Sequence, residues 1–205
     1  MQTFLSDGPD DSAVRFLFAH GAGGAMDTPF MGTMARLLAE RGIRVERFEF
    51  LYMAARRTGK RGGPDRQPVL IESWKEAVLS QRVAGRRLFI GGKSLGGRIA
   101  TMVADEMGVD GVVCFGYPFH PPGKPEKLRT DHLRDLRTPA LILQGERDPF
   151  GTRSEVATYD LSPTIRVEWL IDGDHSLRPR AASGATEKGN VERAAALAAD
   201  FMLAP

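Results

Sequence analysis

The chain has 205 residues, of which 42% are hydrophobic and 26% are charged, and its formal net charge is +2. This length predicts a single domain, residues 1–205, with room for a sizeable core. The small net charge argues against general affinity for nucleic acid or for an anionic membrane. No apolar run approaches the roughly 18 residues that span a bilayer, and the acidic first residues lack the apolar core of a signal peptide. We therefore expect a cytoplasmic protein with no nucleic-acid or membrane partner.

Strand-like and helix-like segments alternate along the chain. Apolar, β-prone runs predict strands at 14–19, 44–50, 88–90, 111–115, 139–143 and 165–171, with room for at most one short strand before them. Helical spacing predicts helices at 29–42, from 68 onward, and at 95–108, 126–136, 154–158 and 190–202. This alternation predicts an α/β fold, a mainly parallel sheet of about six or seven strands with helices on both faces. The single cysteine, Cys114, is expected to fill the core in a reducing compartment.

Ser94 lies where a predicted strand turns into a predicted helix. The run Leu88–Ile90 is apolar, and helical spacing of apolar residues begins at Leu95. Gly92 and Gly96 flank the serine at the G-x-S-x-G spacing of a nucleophile elbow, a strained turn whose close backbone contacts leave no room for a Cβ. Such a turn exposes the serine Oγ at the carboxyl end of a strand. The motif alone does not establish a hydrolase, because serine at this point is also a good helix N-cap.

Asp148 and His175 supply the other two groups of a serine-hydrolase triad. Like Ser94, each follows the carboxyl end of a predicted strand, where ligands bind in open parallel sheets, and the order Ser, acid, His is that of α/β-hydrolases. We expect His175 to take the serine proton and to return one to the leaving group, while Asp148 holds the imidazole tautomer. Asp172 and Asp174 are rival acids, but near neighbours on one loop rarely orient the ring, so turn and capping roles are favoured.

The oxyanion of such a reaction needs two backbone donors. The N–H of Leu95 is expected to be one, and the N–H of Ala22, or else of Gly23, the other, because the small residues in segment 20–24 let amides face a ligand. His20 precedes the elbow in the chain, and we expect it to brace this loop rather than act as the base. The other two histidines, His120 and His132, are expected at the surface or at the pocket rim.

Two nucleotide-binding motifs compete with the hydrolase interpretation. Gly92-Lys93-Ser94 matches the end of a P-loop, but Arg87 stands where that motif needs its first glycine. Gly21-Ala22-Gly23 follows a strand as a dinucleotide fingerprint does. However, Met26 occupies the third glycine position, and the helix begins too late for its N-terminus to meet a pyrophosphate. We therefore expect a cofactor-independent protein with no metal site.

The predicted pocket walls are two irregular segments, 51–66 and 117–124, and the substrate-binding candidates within them are Arg57 and Tyr117. Segment 56–66 is strongly basic. Such a segment is usually a solvated loop, but because it follows a strand it could also overhang the site and favour an acidic substrate or partner. Since no large insertion occurs between 116 and 138, we expect an open, shallow site that favours short acyl groups.

Taken together, these motifs resemble those of a known group of proteins. The chain is similar to a small α/β-hydrolase-like family that includes a regulatory subunit of the NSL acetyltransferase complex and a testis-expressed relative, with many bacterial members similar to dienelactone hydrolases. The resemblance covers about residues 14–200 and lies in segments 20–24, 64–70, 92–98, 116–122, 145–148 and 173–176. It implies an α/β-hydrolase fold without a large cap domain. Ser94 is a departure from dienelactone hydrolases proper, which have cysteine there.

The sequence therefore predicts a serine hydrolase that acts on a small carboxylic ester or thioester through an acyl-enzyme. The alternative is a protein-interaction module that keeps the fold with little or no turnover, since some relatives serve as subunits of complexes. The complete triad favours the enzyme, because a scaffold has no need of all three residues. Oligomeric state has no signature in the sequence.

Overall fold

The computed structural model describes residues 2–205 and contains, within them, one seven-stranded sheet. Its strands are β1 (Phe4–Asp7), β2 (Val14–Ala19), β3 (Arg44–Phe48), β4 (Arg87–Lys93), β5 (Gly111–Phe115), β6 (Ala140–Gly145) and β7 (Ile165–Leu170). They lie in the order β1-β3-β2-β4-β5-β6-β7, and every neighbouring pair is parallel except β1 and β3. The mainly parallel sheet is confirmed, and β1 is the short strand that fits before residue 14.

Helices cover both faces of the sheet. They are α1 (Pro29–Ala39), α2 (Leu51–Arg57), α3 (Gln67–Gln81), α4 (Leu95–Met107), α5 (Arg153–Val156) and α6 (Glu187–Leu203), with 3-10 turns at Asp131–Leu133 and Ala181–Ser183. Alternate residues of a strand point to opposite faces: Leu17 of β2 joins the core under α3 and α4, whereas Phe16 and Phe18 join the core under α1 and α6. Central strands buried on both sides explain the continuous apolar runs in the sequence. No helix in the described part of the chain is long and apolar enough to cross a membrane.

The predicted helix at 126–136 is wrong. Within it the chain forms only the short turn at Asp131–Leu133. The backbone groups of Arg129 have partners outside a helix, because its N–H donates to the Phe119 carbonyl oxygen and its carbonyl oxygen accepts from the Tyr117 hydroxyl. These contacts replace the local i to i−4 bonds that helical propensity alone favours.

The segment 51–66, predicted to be irregular, begins as helix α2 and becomes irregular only after Arg57. The cause is a contact over thirteen residues of sequence: the Asp65 carboxylate accepts a hydrogen bond from the Tyr52 N–H at 2.9 Å and satisfies one of the free donors at the helix start. At the other end of the chain, α6 begins at Glu187 rather than near 190, because the Thr186 side chain caps it by accepting from the Gly189 N–H.

Candidate active site

Ser94 occupies a strained backbone position between β4 and α4. Its φ is 49° and its ψ is −109°, a region that a residue with a Cβ seldom adopts and that costs on the order of 1–3 kcal/mol. A Cβ on Gly92 would lie 2.4 Å from the Ala19 carbonyl oxygen, and one on Gly96 would lie 2.5 Å from the same atom. Both glycines are therefore required for the turn to pack against the end of β2, and this packing holds the serine in place.

The side chains of Asp148, His175 and Ser94 form a continuous chain of hydrogen bonds. His175 Nε2 lies 2.8 Å from Ser94 Oγ, and His175 Nδ1 lies 2.8 Å from Asp148 Oδ2. A carboxylate only accepts hydrogen bonds, so Nδ1 is the protonated nitrogen of the neutral ring and Nε2 is free to accept from the serine hydroxyl. The structure thus brings all three predicted triad residues together in the order that nucleophilic catalysis requires.

Two further hydrogen bonds fix the position of the Asp148 carboxylate. It is fully buried, and it accepts hydrogen bonds from the Phe150 N–H and from the Gln144 side-chain amide, both at 2.9 Å. Gln144 is itself buried, and it bonds both backbone groups of Tyr117 and the Gly151 carbonyl oxygen. Gln144 therefore ties the acid to two neighbouring loops. Nothing in the sequence distinguished this glutamine beyond its place directly before Gly145 at the end of β6.

The environment of His175 favours its neutral form. Burial lowers the pKa of the imidazole, the hydrogen bond to Asp148 opposes that shift, and the nearby positive charge of Lys93 lowers the pKa further. The Phe150 ring covers the imidazole, with ring centroids 4.1 Å apart. A histidine that is neutral near pH 7 is the form that accepts a proton from serine.

The two rival acids are occupied elsewhere. Asp172 pairs with Arg180 and Arg147, and the hydrogen bonds from Arg180 lower the pKa of its carboxyl group to about 2. Asp174 accepts from the N–H groups of Ser176 and Arg178 and so shapes the loop that holds His175. Neither carboxylate hydrogen-bonds to the imidazole, whereas Asp148 does.

A cavity of about 530 Å³ opens over Ser94. Segment 21–24, the predicted oxyanion loop, forms one wall, and Ala22 in it is exposed to the cavity. Leu95 is the first residue of α4, so its N–H has no acceptor within the helix and lies at the positive end of the helix dipole. Segment 21–24 thus lies beside the cavity and Leu95 directly follows Ser94, and the role of their N–H groups as oxyanion donors stays a prediction.

Two side chains hold the oxyanion loop from behind. His20 is fully buried, and its Nε2 accepts a hydrogen bond from the Phe50 N–H at 3.2 Å. Its Nδ1 therefore carries the proton and donates to the Gly21 carbonyl oxygen at 2.7 Å. Burial also lowers the pKa of His20, which keeps the ring neutral. The Tyr52 hydroxyl donates to the Ala22 carbonyl oxygen at 3.1 Å. These two contacts fix the Gly21 and Ala22 carbonyl oxygens. Tyr52 was not among the residues that the sequence singled out.

Lys93 is a further residue of the site that sequence reasoning passed over. Its Nζ donates a hydrogen bond to the backbone carbonyl oxygen of His175 and lies 5.7 Å from the centre of the Phe30 ring. Burial lowers the pKa of this amine to about 8, against the attraction of Asp148. The ammonium thus fastens the histidine loop to the nucleophile strand. Its place between Gly92 and Ser94 was visible in the sequence, but the elbow motif accepts any residue there.

The structure places neither predicted substrate-binding residue in the lining of the cavity. Tyr117 is fully buried beneath the site, packs against Phe119, and donates its hydroxyl to the Arg129 carbonyl oxygen, so it has no surface in the cavity. Arg57 lies away from the cavity in ion pairs with Glu49 and Asp27. The cavity walls are formed instead by residues of the α1 start, by Phe150 and by segments 175–178 and 187.

Of the remaining two histidines, only His132 keeps the partial exposure expected of a surface residue. His120 is buried with its Nδ1 2.9 Å from the Pro121 carbonyl oxygen. His132 is partly buried against Thr101, and burial lowers its pKa to about 4. Neither contacts the cavity. Across residues 2–205, no three His, Cys, Asp or Glu side chains form a cluster suited to a metal ion.

Comparison with known proteins agrees with this architecture. Residues 12–203 match the model of a family described as an alpha/beta hydrolase domain. An alpha-beta serine hydrolase homologue from Coxiella burnetii superposes with a TM-score of 0.74 at 18% identity, covering 97% of this chain and 90% of that one. A dienelactone hydrolase from Anabaena variabilis gives 0.73 at 21% identity, covering 98% and 90%. A serine hydrolase without lid from Xanthomonas campestris gives 0.68 at 20% identity, with the same coverage. At these identities the structures show a shared fold.

Proposed function

Because the chain belongs to the alpha/beta hydrolase domain family, we propose that it is a serine hydrolase that cleaves a small carboxylic ester or thioester. The proposal rests on one observation above all: the hydrogen-bond chain from Asp148 through His175 to Ser94, with both contacts at 2.8 Å, ends at the floor of an open cavity. A serine hydroxyl that serves only as a helix cap needs no imidazole, and this one makes no side-chain bond to its helix.

In the proposed reaction, Ser94 Oγ attacks the carbonyl carbon of the substrate while His175 Nε2 takes the hydroxyl proton. The Leu95 and Ala22 N–H groups stabilise the negative oxygen of the tetrahedral intermediate. When this intermediate collapses, the bond to the alcohol or thiol breaks, and His175 returns the proton to the leaving group. Water then attacks the acyl-enzyme by the same route and releases the carboxylic acid and free Ser94. Asp148 stabilises the imidazolium in both halves of the reaction.

The relation to the NSL subunit and its testis-expressed relative remains part of this proposal, and its support is the set of shared motif residues in the sequence. It leads to the second candidate function, an interaction module on a hydrolase fold. The strained backbone of Ser94 and the buried contacts of Asp148 favour the enzyme, because a module without turnover gains nothing from a serine held in an unfavourable conformation.

A fluorophosphonate probe tests the proposal directly, because it reacts only with an activated serine. We expect stoichiometric labelling of folded wild-type protein at Ser94 and none of Ser94→Ala. Hydrolysis of 4-nitrophenyl acetate and of an acetyl thioester should be lost in the same variant, since removing the nucleophile of a triad abolishes nearly all acceleration. Failure of Ser94 to label in protein with a normal unfolding transition would favour the interaction module.

A further inference from the structure

A second cavity adjoins the Ser94 cavity at the seam between α1 and α6. Its volume is about 460 Å³, and it shares Pro29, Phe30 and Glu187 with the first cavity. From this junction it follows the outer side of α1 as far as Leu37 and the first turns of α6 as far as Glu192. Because the two cavities share these three residues, they adjoin at Phe30, and together they are called here the α1–α6 groove, whose inner end lies at the nucleophile.

The length of the α1–α6 groove suits an extended ligand. Phe30 and Leu37 are seven positions apart on one helix, which corresponds to about 10 Å along its axis. Phe30 stands at the junction, where its ring is held edge-on against Phe115, with centroids 6.1 Å apart, and faces the Lys93 ammonium. The groove therefore has a fixed inner end beside Ser94 and an open outer end.

The chemistry of the groove walls favours an uncharged apolar ligand. The apolar residues that line the second cavity are Pro29, Phe30, Leu37 and Val191. The charged side chains on the rim already have partners: Arg36 pairs with Glu40, Lys188 with Glu192 and Arg178 with Glu187. Because these ion pairs are local, they leave no uncompensated charge along α1 and α6 to attract an ionic group, and the Lys93 ammonium at the inner end is already bonded to the His175 carbonyl oxygen. An apolar chain along the two helices gains by leaving water.

We propose that the substrate has an unbranched alkyl chain and that this chain lies in the α1–α6 groove while its ester or thioester carbonyl is at Ser94. This inference rests on the proposed hydrolase function and adds a substrate class to it. It differs from the short acyl groups expected from the sequence, because no insertion in the chain indicated that two helices of the main fold would leave a groove between them. The chain could belong to the acyl group or to the alcohol, and both would make the same contacts.

Two substrate series distinguish these sources. In the first, the acyl group of a 4-nitrophenyl ester lengthens from acetate to octanoate; in the second, the alcohol of an alkyl acetate lengthens from ethyl to octyl. One methylene fully removed from water contributes a factor of about four. For a half-open groove we expect kcat/KM to rise by at least about tenfold along one of the two series. The series that rises identifies the side of the ester that occupies the groove.

A substitution on the groove wall links the rise to this site. Thr33 is exposed on α1 and lines the groove, so Thr33→Trp fills space without disturbing the core. We expect it to lower the ratio of long-chain to short-chain kcat/KM by about fivefold or more, because several methylenes lose their contacts. The matched control is Leu79→Trp, which adds the same ring to α3, where Leu79 is 70% exposed and remote from the groove. The control should leave the ratio unchanged.

The outcomes separate this inference from the hydrolase proposal. If Ser94 labels normally but neither series rises, the groove assignment is overturned and the hydrolase proposal stands. The same holds if a rise survives Thr33→Trp undiminished. If Ser94 does not label, the hydrolase proposal fails, and the groove assignment fails with it.

Discussion

The histidine loop, residues 172–178, and the basic segment, residues 56–66, both follow the carboxyl end of a parallel strand, yet only one of them reaches the nucleophile. The histidine loop is tightly packed: the Arg147 N–H bonds the Gly173 carbonyl oxygen, and a Cβ on Gly116 would lie 3.0 Å from the His175 carbonyl oxygen. The basic segment is mostly exposed, and a Cβ on any of its glycines would meet nothing within 4 Å.

Position in the sheet does not explain this difference. The strand before the histidine loop, β7, is three strands from β4, whereas β3, which precedes the basic segment, is only two strands away. The difference comes from contacts. Lys93 and Arg147 hold the histidine loop back over β5, whereas two arginines of the basic segment, Arg56 and Arg57, are bonded to groups away from the cavity. Arg56, for example, bonds the Gly62 carbonyl oxygen and lies over the Tyr52 ring. A loop becomes part of a site when its polar groups are bonded toward that site.

The largest expected effect on kcat concerns the carboxylate that pairs with His175 of the histidine loop. Asp148→Asn should lower kcat by about 10⁴-fold, because an amide stabilises the wrong imidazole tautomer. Asp174→Asn is the matched control: its side-chain oxygen can still accept from the Ser176 and Arg178 N–H groups, so we expect a loss of less than about tenfold. Initial rates on a 4-nitrophenyl ester measure both. Equal losses in the two variants would contradict the assignment of Asp148.

The next largest effect concerns the oxyanion loop. His20→Ala should lower kcat by about 10²-fold, the scale of losing one oxyanion donor, because the Gly21 carbonyl is no longer held. Tyr52→Phe removes a single neutral hydrogen bond to this loop and should cost only about threefold. His20 is a brace in this account and not the base, so the midpoint of the pH–rate profile should stay where it is in wild type. A shifted midpoint in His20→Ala would assign the histidine a chemical role instead.

The sequence predicted the placement of those residues whose local motif itself implies a backbone conformation. The glycines around Ser94 imply a close approach that the structure shows at Ala19, and the strand ends before Asp148 and His175 follow from apolar runs. The contacts of Gln144, Lys93 and Tyr52 join segments distant in sequence, and no local pattern encodes them. The positions of Tyr117 and Arg57 away from the cavity were not predicted for the same reason, because burial and ion pairing depend on which segments meet.

A smaller effect on activity is expected from Lys93. Burial lowers the pKa of His175 from its ordinary value of 6.5, so the neutral base persists at more acidic pH, and the acid limb of kcat/KM should have its midpoint below 6.5. Lys93→Met removes a positive charge that contributes to this lowering of the His175 pKa, so the midpoint should move to higher pH. The variant also loses the hydrogen bond to the His175 carbonyl oxygen, so kcat should fall by about tenfold or less. Because the Lys93 pKa is about 8, the electrostatic part of the difference should vanish above that pH. Lys60→Met, in the basic segment, should leave the profile unchanged.

The smallest effect on activity is expected from substitution of Arg57, which should lower the free energy of unfolding without changing KM. The guanidinium makes two hydrogen bonds, of 2.7 and 2.8 Å, to Glu49, whose side chain is only 5% exposed. Arg57→Ala leaves that carboxylate buried with a single remaining bond, from the Met26 N–H, and should lower the free energy of unfolding by about 1–3 kcal/mol. Denaturant unfolding measures the loss, and Arg61→Ala, in the exposed part of the same segment, should show none. Neither variant should change KM for neutral or anionic esters, since Arg57 is bonded to Glu49 and Asp27 and does not line the cavity. A raised KM for the anionic ester alone would show that this segment contacts the substrate.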